Sequence, residues 1–160
     1  MHATASDYRT PQSWIALAIF LVLVIGVGAL VGTQSQPGTW YESLTKPPLN
    51  PPNWVFGPVW FALYVMIAVA GWRIWIAAPQ SGAMKFWGAQ MLLNWAWSPV
   101  WFLAQMPWAA FAILIAMWLS IAGFILAARR HDSVAPWLFV PYIAWVSFAG
   151  YLNLSIALMN

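Results

Sequence analysis

Cysteine is absent from this chain of 160 residues, and charged residues make up only 6% of it. The absence of cysteine excludes disulfides and thiolate chemistry. Because 63% of the residues are hydrophobic, the composition also excludes an ordinary soluble domain. The sequence therefore predicts an integral, multi-pass membrane protein, and its length predicts a single domain, 1–160. The composition leaves open which membrane holds the protein.

Acidic and imidazole side chains are the scarcest of the ionisable groups. They are Asp7, Glu42, Asp132, His2 and His131, and each falls in a segment predicted to be aqueous. Without an acid–base pair inside the membrane, the sequence excludes a proton relay, an ion-coupled carrier of the usual kind, a metal cluster and a Ser-His-Asp arrangement. Haem ligation by histidine is not expected either.

Long uncharged runs divide the chain into five predicted spans. Their approximate bounds are 14–33, 54–78, 83–105, 107–128 and 134–158, with a proline-rich loop at 34–53. The uncharged run 86–128 is too long for one span, and the sequence Gln-Met-Pro at 105–107 supplies the break. The predicted fold class is an all-α integral membrane protein, a bundle of five transmembrane helices. Residues 1–13 are predicted to form a short, mobile tail.

Basic residues lie at the ends of the predicted spans and are distributed unevenly between the two faces. The face that holds the N-terminus carries Arg9, Arg73, Lys85, Arg129 and Arg130, whereas the other carries only Lys46. The positive-inside rule then predicts a cytoplasmic N-terminus, with the proline-rich loop on the opposite side. Since the basic residues follow the topology, we do not expect a nucleic-acid partner.

The segment 40–64 has a composition that a membrane span does not require. It contains Pro47, Pro48, Pro51, Pro52 and Pro58. The two Pro-Pro pairs keep residues 46–53 out of a regular helix. We expect an ordered lid, in which Trp40, Tyr41 and Trp54 pack onto helix ends. The alternative is a loop anchored by aromatic side chains at the membrane interface.

Polar and aromatic residues recur at helical spacing along two of the predicted spans. Span three carries Gln90, Asn94, Trp97, Ser98 and Trp101, and span five carries Tyr142, Trp145, Ala149 and Asn153. Such faces indicate either hydrogen bonds between helices or contacts to a ligand. Fourteen tryptophans exceed the needs of two interfacial belts, which favours an aromatic pocket.

Several stretches in this order resemble the motifs of the translocator protein, or tryptophan-rich sensory protein (TspO), family. They read WYESLTKPPLNPPNWVFGPVWFALY, QMLLNWAWSPVWF, QMPWA and VPYIAWVSFAGYLNL. The resemblance implies five membrane helices, often in a dimer, with a pocket beneath the first loop. It also implies binding of tetrapyrroles such as protoporphyrin, of sterols in animal members and of synthetic aromatic ligands. No further cofactor is implied.

Motif positions of the family also imply which residues line the pocket. They correspond to Trp60, Tyr64, Asn94, Trp108, Trp145, Ala149 and Leu152. With Trp40, Gln90, Trp97 and Tyr142 from the loop and the two polar faces, these residues form the predicted ligand-binding set. One motif departs from the animal pattern, because no basic residue follows Tyr151, so sterol recognition is not expected.

Three functions remain open at this point. The first is a tetrapyrrole-binding membrane sensor or translocator, which needs no ionised group. The second is an enzyme for light-dependent porphyrin degradation, because Trp60 and Trp145 match positions that the family resemblance associates with this reaction; no catalytic residue is otherwise assigned. The third is an interaction protein that acts through its helix faces. A homodimer in membrane lipid is expected from the resemblance and from small residues such as Gly28, Gly32 and Gly88.

Overall fold

Five long helices make up most of the chain. In a computed structural model, which describes residues 6–160, they are α1 (Pro11–Gln34), α2 (Phe56–Ala77), α3 (Gly82–Ser98), α4 (Pro107–Ala128) and α5 (Val140–Met159). Shorter helical segments lie at Asp7–Arg9, Thr39–Ser43, Asn53–Val55, Pro99–Leu103 and Ala135–Leu138. No strand occurs between residues 6 and 160. The all-α part of the predicted fold class is confirmed.

Four helical segments are long and apolar enough to cross a membrane. They are Pro11–Gln34, Asn53–Ala77, Pro107–Ala128 and Ala135–Met159. A multi-pass membrane protein follows from them. The sequence predicts one further span over 83–105, but α3 has only 17 residues in α-helical conformation. The count of five spans is therefore not established by helix length and composition.

Prolines explain where several of the helices begin or change. Pro99 has no N–H to continue the α-helical pattern, and from Pro99 to Leu103 the chain forms a π-helical turn. The N–H of Ala104 donates to the Pro99 carbonyl, five residues earlier, at 2.9 Å. Pro107 begins α4, as the predicted break requires, and Pro141 lies in the first turn of α5. Neither Pro107 nor Pro141 interrupts a helix.

The chain before α1 is more ordered than the sequence predicts. Thr10 caps α1, since its hydroxyl accepts a hydrogen bond from the backbone N–H of Ser13 at 3.2 Å. The ring of Tyr8 packs edge-on against Trp72 of α2, with 5.5 Å between ring centroids. The prediction of a mobile tail is wrong for residues 6–10, because Tyr8 has an aromatic surface to pack against. Residues 1–5, His2 among them, lie outside the described residues.

The proline-rich loop contains a short helix that the sequence did not predict, Thr39–Ser43, and is extended or turned through residues 45–52. Tyr41 is only 6% exposed, and its hydroxyl donates to the side-chain oxygen of Asn50 at 3.3 Å. The ammonium group of Lys46 lies 4.7 Å from the centre of the same ring. Trp54, in contrast, is 75% exposed, so its predicted packing onto a helix end is wrong.

The two ends of the described chain lie at opposite ends of the bundle. Asn160 hydrogen-bonds through its side chain to the backbone of Thr45, accepting from the N–H at 2.9 Å and donating to the carbonyl at 3.1 Å. Tyr8 donates instead to Asp132, which lies in the turn between α4 and α5. Since α5 separates Asp132 from Asn160, the proline-rich loop and the N-terminal segment occupy opposite faces.

Three glycines, Gly28, Gly71 and Gly123, allow aromatic rings to pack against helix backbones. A Cβ at Gly28 would overlap the ring of Tyr64, and one at Gly71 would overlap the indole of Trp87. Gly28 thus serves the contact between α1 and α2, within one chain. A Cβ added at Gly32, four residues after Gly28, would meet nothing within 4 Å among the described residues, so within this chain only Gly28 of the two packs against a neighbouring helix.

Candidate functional site

A cavity of about 600 Å³ lies beside the proline-rich loop, and all five long helices contribute residues to its lining. Five tryptophans line it: Trp54, Trp60, Trp97, Trp101 and Trp145. No Lys, Arg, His, Asp or Glu belongs to the lining, as far as the described residues go. Residues 6–160 also contain no group of three His, Asp or Glu side chains that could hold a metal ion. The cavity is suited to a flat, apolar ligand held by stacking and neutral hydrogen bonds.

Seven residues of the predicted ligand-binding set line the cavity. They are Trp60, Tyr64, Asn94, Trp97, Trp145, Ala149 and Leu152. The structure thus places Trp60, Asn94 and Trp145 in one cavity, where the sequence predicts them to meet. Their role in binding stays a prediction.

The other four predicted residues do not belong to the lining. Gln90 and Tyr142 are fully buried behind it, and Trp40 packs edge-on against Trp101 with 5.9 Å between ring centroids. Trp108 is 57% exposed on α4. A motif position alone could not predict this, because the rotation of α4 about its axis decides which of its residues face inward.

Several residues of the lining were not predicted from the sequence. Phe56 lies four residues before Trp60 and so shares its helix face, a spacing that could have revealed it. Phe102 reaches the cavity because the π-helical turn changes the direction of the side chains after Pro99. Gly28 carries no side chain, so no pattern could have indicated it.

Aromatic pairs give the lining a defined shape. The rings of Trp97 and Trp101 are stacked, with 5.9 Å between their centroids and 9° between their planes. Phe56 and Trp145, also in the lining, meet edge-on with 5.9 Å between ring centroids. Because each ring is held by a neighbour, the lining presents ring faces in fixed orientations to a planar ligand.

A chain of hydrogen bonds leads from the cavity into the core. The Tyr64 hydroxyl donates to Asn94 Oδ1 at 3.1 Å, and Asn94 Nδ2 donates to the Tyr142 hydroxyl at 2.9 Å. The Tyr142 hydroxyl donates in turn to Gln90 Oε1 at 2.9 Å, and Gln90 Nε2 donates to the Trp87 carbonyl at 2.9 Å. Gln90 therefore bridges within the protein, whereas Asn94 both joins helices and faces the cavity.

We expect the substitution Tyr142→Phe to destabilise the protein by about 1–3 kcal/mol, since it leaves the Asn94 amide and the Gln90 carbonyl buried without this partner. Chemical unfolding of the purified protein measures the loss. Tyr151→Phe is the matched control, because Tyr151 is 42% exposed and has no side-chain hydrogen bond within residues 6–160. Equal stability of the two variants would contradict the expectation.

An ion pair lies at the end of the bundle away from the proline-rich loop. Arg73 holds both carboxylate oxygens of Asp132, with Nε–Oδ1 at 2.9 Å and Nη2–Oδ2 at 2.8 Å. Asp132 also accepts from the backbone N–H groups of Val134 and Ala135, at 2.8 and 2.6 Å, and from the Tyr8 hydroxyl at 3.1 Å. The side chain of Asp132 is only 4% exposed. The prediction that Asp132 lies in water is therefore wrong. Its side chain is buried and joins three segments of the chain.

These contacts change the acidity of Asp132 and Tyr8, which lie outside the five long helices. Burial raises the pKa of Asp132, but the hydrogen bonds from Arg73, Ala135 and Val134 outweigh it, so the pKa lies below its usual value. Burial, and then the nearby Asp132 carboxylate, raise the pKa of Tyr8 to about 12. At neutral pH the pair is therefore ionised and Tyr8 is a neutral donor.

The chain matches the family model described as the TspO/MBR family over residues 17–159. It is 35% identical over 150 residues to the tryptophan-rich protein TspO of Chlorobaculum tepidum. The aligned residues cover 91% of this chain and 95% of that protein. The chain is 34% identical to the tryptophan-rich sensory protein of Cereibacter sphaeroides over 149 residues, covering 93% and 94% of the two chains. The translocator protein of Ovis aries is 35% identical over 149 residues, covering 88% and 87%. A match of this extent shows that the chain belongs to the TspO/MBR family.

Proposed function

We propose that this protein is a membrane receptor, acting as a sensor or translocator, that binds a tetrapyrrole such as protoporphyrin, or another flat aromatic molecule. The observation that carries the proposal is the uncharged cavity of about 600 Å³ with five tryptophans in its lining. Two of the relatives are named sensory protein and translocator protein. Those names support a role in sensing or movement of a ligand.

Neutral polar groups would orient the ligand in the cavity. Asn94 uses one of its two amide hydrogens on Tyr142, which leaves the second for a ligand acceptor. The indole N–H of Trp145 has no hydrogen-bond partner among the described residues, but the nitrogen is buried, so a ligand would reach it only after a neighbouring side chain moves. Since a buried carboxylate needs a charged partner, the carboxylates of a porphyrin would stay at the mouth of the cavity.

We also propose that α3 crosses the membrane as the fifth span. Its 17 residues continue into five π-helical residues, which lengthens the helical segment. The positions of Tyr8 and Asn160 at opposite ends of α5 support an odd number of crossings. In this arrangement the N-terminus is cytoplasmic, the proline-rich loop covers the cavity on the other side, and Gly88, which has nothing within 4 Å of a Cβ, is open to a second copy in a homodimer.

Light-dependent degradation of a bound porphyrin is the second candidate function. It is favoured by one observation, the presence of both Trp60 and Trp145 in the lining of the same cavity. Either indole would then lie beside an excited porphyrin. The reaction requires light and oxygen, whereas binding requires neither.

Titration of the purified protein with protoporphyrin in the dark tests the proposal. We expect Trp60→Phe and Trp145→Phe to weaken binding modestly, since a ring face remains. Asn94→Ala should weaken it about fivefold, which corresponds to about 1 kcal/mol for a lost hydrogen bond. Trp108→Phe is the matched control, because its exposed indole lies outside the cavity, and we expect unchanged affinity.

The outcomes separate the candidates. Parent-like binding by the Trp60, Trp145 and Asn94 variants would contradict the assignment of the cavity, and absence of any porphyrin binding would leave the interaction protein as the remaining candidate. Illumination in air is the second arm. If the Trp60 and Trp145 variants bind porphyrin but no longer degrade it, the enzyme replaces the sensor as the favoured function.

A further inference from the structure

A second, smaller groove lies at the turn between α4 and α5, away from the aromatic cavity. Its volume is about 470 Å³. Ile125, Arg129, Asp132, Ser133, Pro136, Trp137 and Val140 line it. Nothing in the proposed tetrapyrrole function uses these residues, so the groove requires its own explanation.

The polar end of the groove is positively charged. Asp132 is already neutralised by Arg73 and accepts further hydrogen bonds from Val134, Ala135 and Tyr8. Arg129 is exposed and makes no ion pair or side-chain hydrogen bond with any residue in 6–160. The groove therefore carries one uncompensated guanidinium, and the lining also includes Ser133, whose side chain ends in a hydroxyl.

The other end of the groove is apolar. Trp137 is 72% exposed and Val140 is 42% exposed, and both belong to the apolar segment Ala135–Met159. Arg129 follows directly after the last residue of α4, Ala128. The groove thus passes from charged to apolar where two membrane helices end, which is the depth of the lipid head groups.

We propose that this groove binds an anionic phospholipid. The guanidinium of Arg129 would pair with the phosphate, for which its planar set of N–H donors is suited, and the Ser133 hydroxyl would donate to the same head group. The indole of Trp137 and the side chain of Val140 would lie along the glycerol and the first part of the acyl chains. A zwitterionic lipid fits less well, because its ammonium group would approach the same unpaired guanidinium.

A matched pair of variants at this turn tests the proposal. Arg129→Gln removes the charge in the groove, whereas Arg130→Gln removes an exposed charge at the next position, outside the lining. Native mass spectrometry of the purified protein, titrated with phosphatidylglycerol or phosphatidylcholine, measures binding of each lipid. We expect Arg129→Gln to weaken phosphatidylglycerol binding at least fivefold and Arg130→Gln to change it less than twofold.

Three results would overturn the proposal. Equal loss in the two arginine variants would assign the effect to general surface charge, and equal binding of the two lipids by the parent would remove the selectivity. Displacement of phosphatidylglycerol by millimolar inorganic phosphate would indicate a free anion as the ligand. Trp137→Ala should weaken phosphatidylglycerol binding as well. Arg129→Lys keeps the positive charge and should retain part of the binding. That result would show that the loss in Arg129→Gln does not come from misfolding.

Discussion

Asp132→Asn is expected to destabilise the protein by about 3 kcal/mol, the lower end of the cost of breaking a buried ion pair. The substitution leaves the guanidinium of Arg73 without its counter-charge. The side chain of Arg73 is only 22% exposed in the folded protein, so water cannot fully replace that charge. The substitution also weakens the hydrogen bonds from Val134 and Ala135, because an amide oxygen is a weaker acceptor than a carboxylate. Chemical unfolding in a mild detergent measures the change.

The pH dependence of unfolding gives a second readout of the same pair. Because the pKa of Asp132 is depressed in the folded protein, its stabilisation is fully present above the pKa of the unfolded chain. The stabilisation is lost as the pH falls through that value toward the folded pKa. We expect the parent to lose stability over this acidic window and Asp132→Asn to lose less.

Glu42→Gln is the control for these measurements, since Glu42 is exposed and has no ion pair within the described residues. It should unfold like the parent at neutral pH. If Asp132→Asn does so too, the pair contributes nothing to stability and the three segments that it joins are held by packing alone.

Gly28→Ala is expected to weaken porphyrin binding at least tenfold, which corresponds to about 1.4 kcal/mol. The added methyl group would overlap the ring of Tyr64, so the ring must move. Its hydroxyl would then lose the 3.1 Å hydrogen bond to Asn94, and the displaced ring would enter the cavity. Titration with protoporphyrin in the dark measures the effect.

Gly26→Ala is the matched control in the same helix, because nothing lies within 4 Å of its Cβ position. An alanine in place of a glycine normally stabilises a helix by roughly 0.5–1 kcal/mol, so this control should be neutral or slightly stabilising. Weaker porphyrin binding by Gly28→Ala, together with unchanged or higher stability of Gly26→Ala, would locate the effect at Tyr64. Equal porphyrin affinity in the two variants would show that the position of Tyr64 does not matter for binding.

The sequence by itself determined the properties that depend on neighbouring residues. Uncharged runs of sufficient length predict membrane helices, because unsatisfied backbone groups are costly in lipid. The proline pairs predict the non-helical stretch of the first loop. Spacing of three and four residues placed Asn94 and Trp97 on one face of α3, and Trp145 and Ala149 on one face of α5, and all four line the cavity.

Only the tertiary structure decided which faces meet. Arg73 and Asp132 are 59 residues apart, and nothing local to either residue indicates the other. Trp108 matches a family motif but points away from the cavity, and Gly28 contributes by having no side chain. Spacing along a helix specifies that residues share a face, whereas the rotation and separation of packed helices specify what that face touches, and these depend on side-chain packing across the whole bundle.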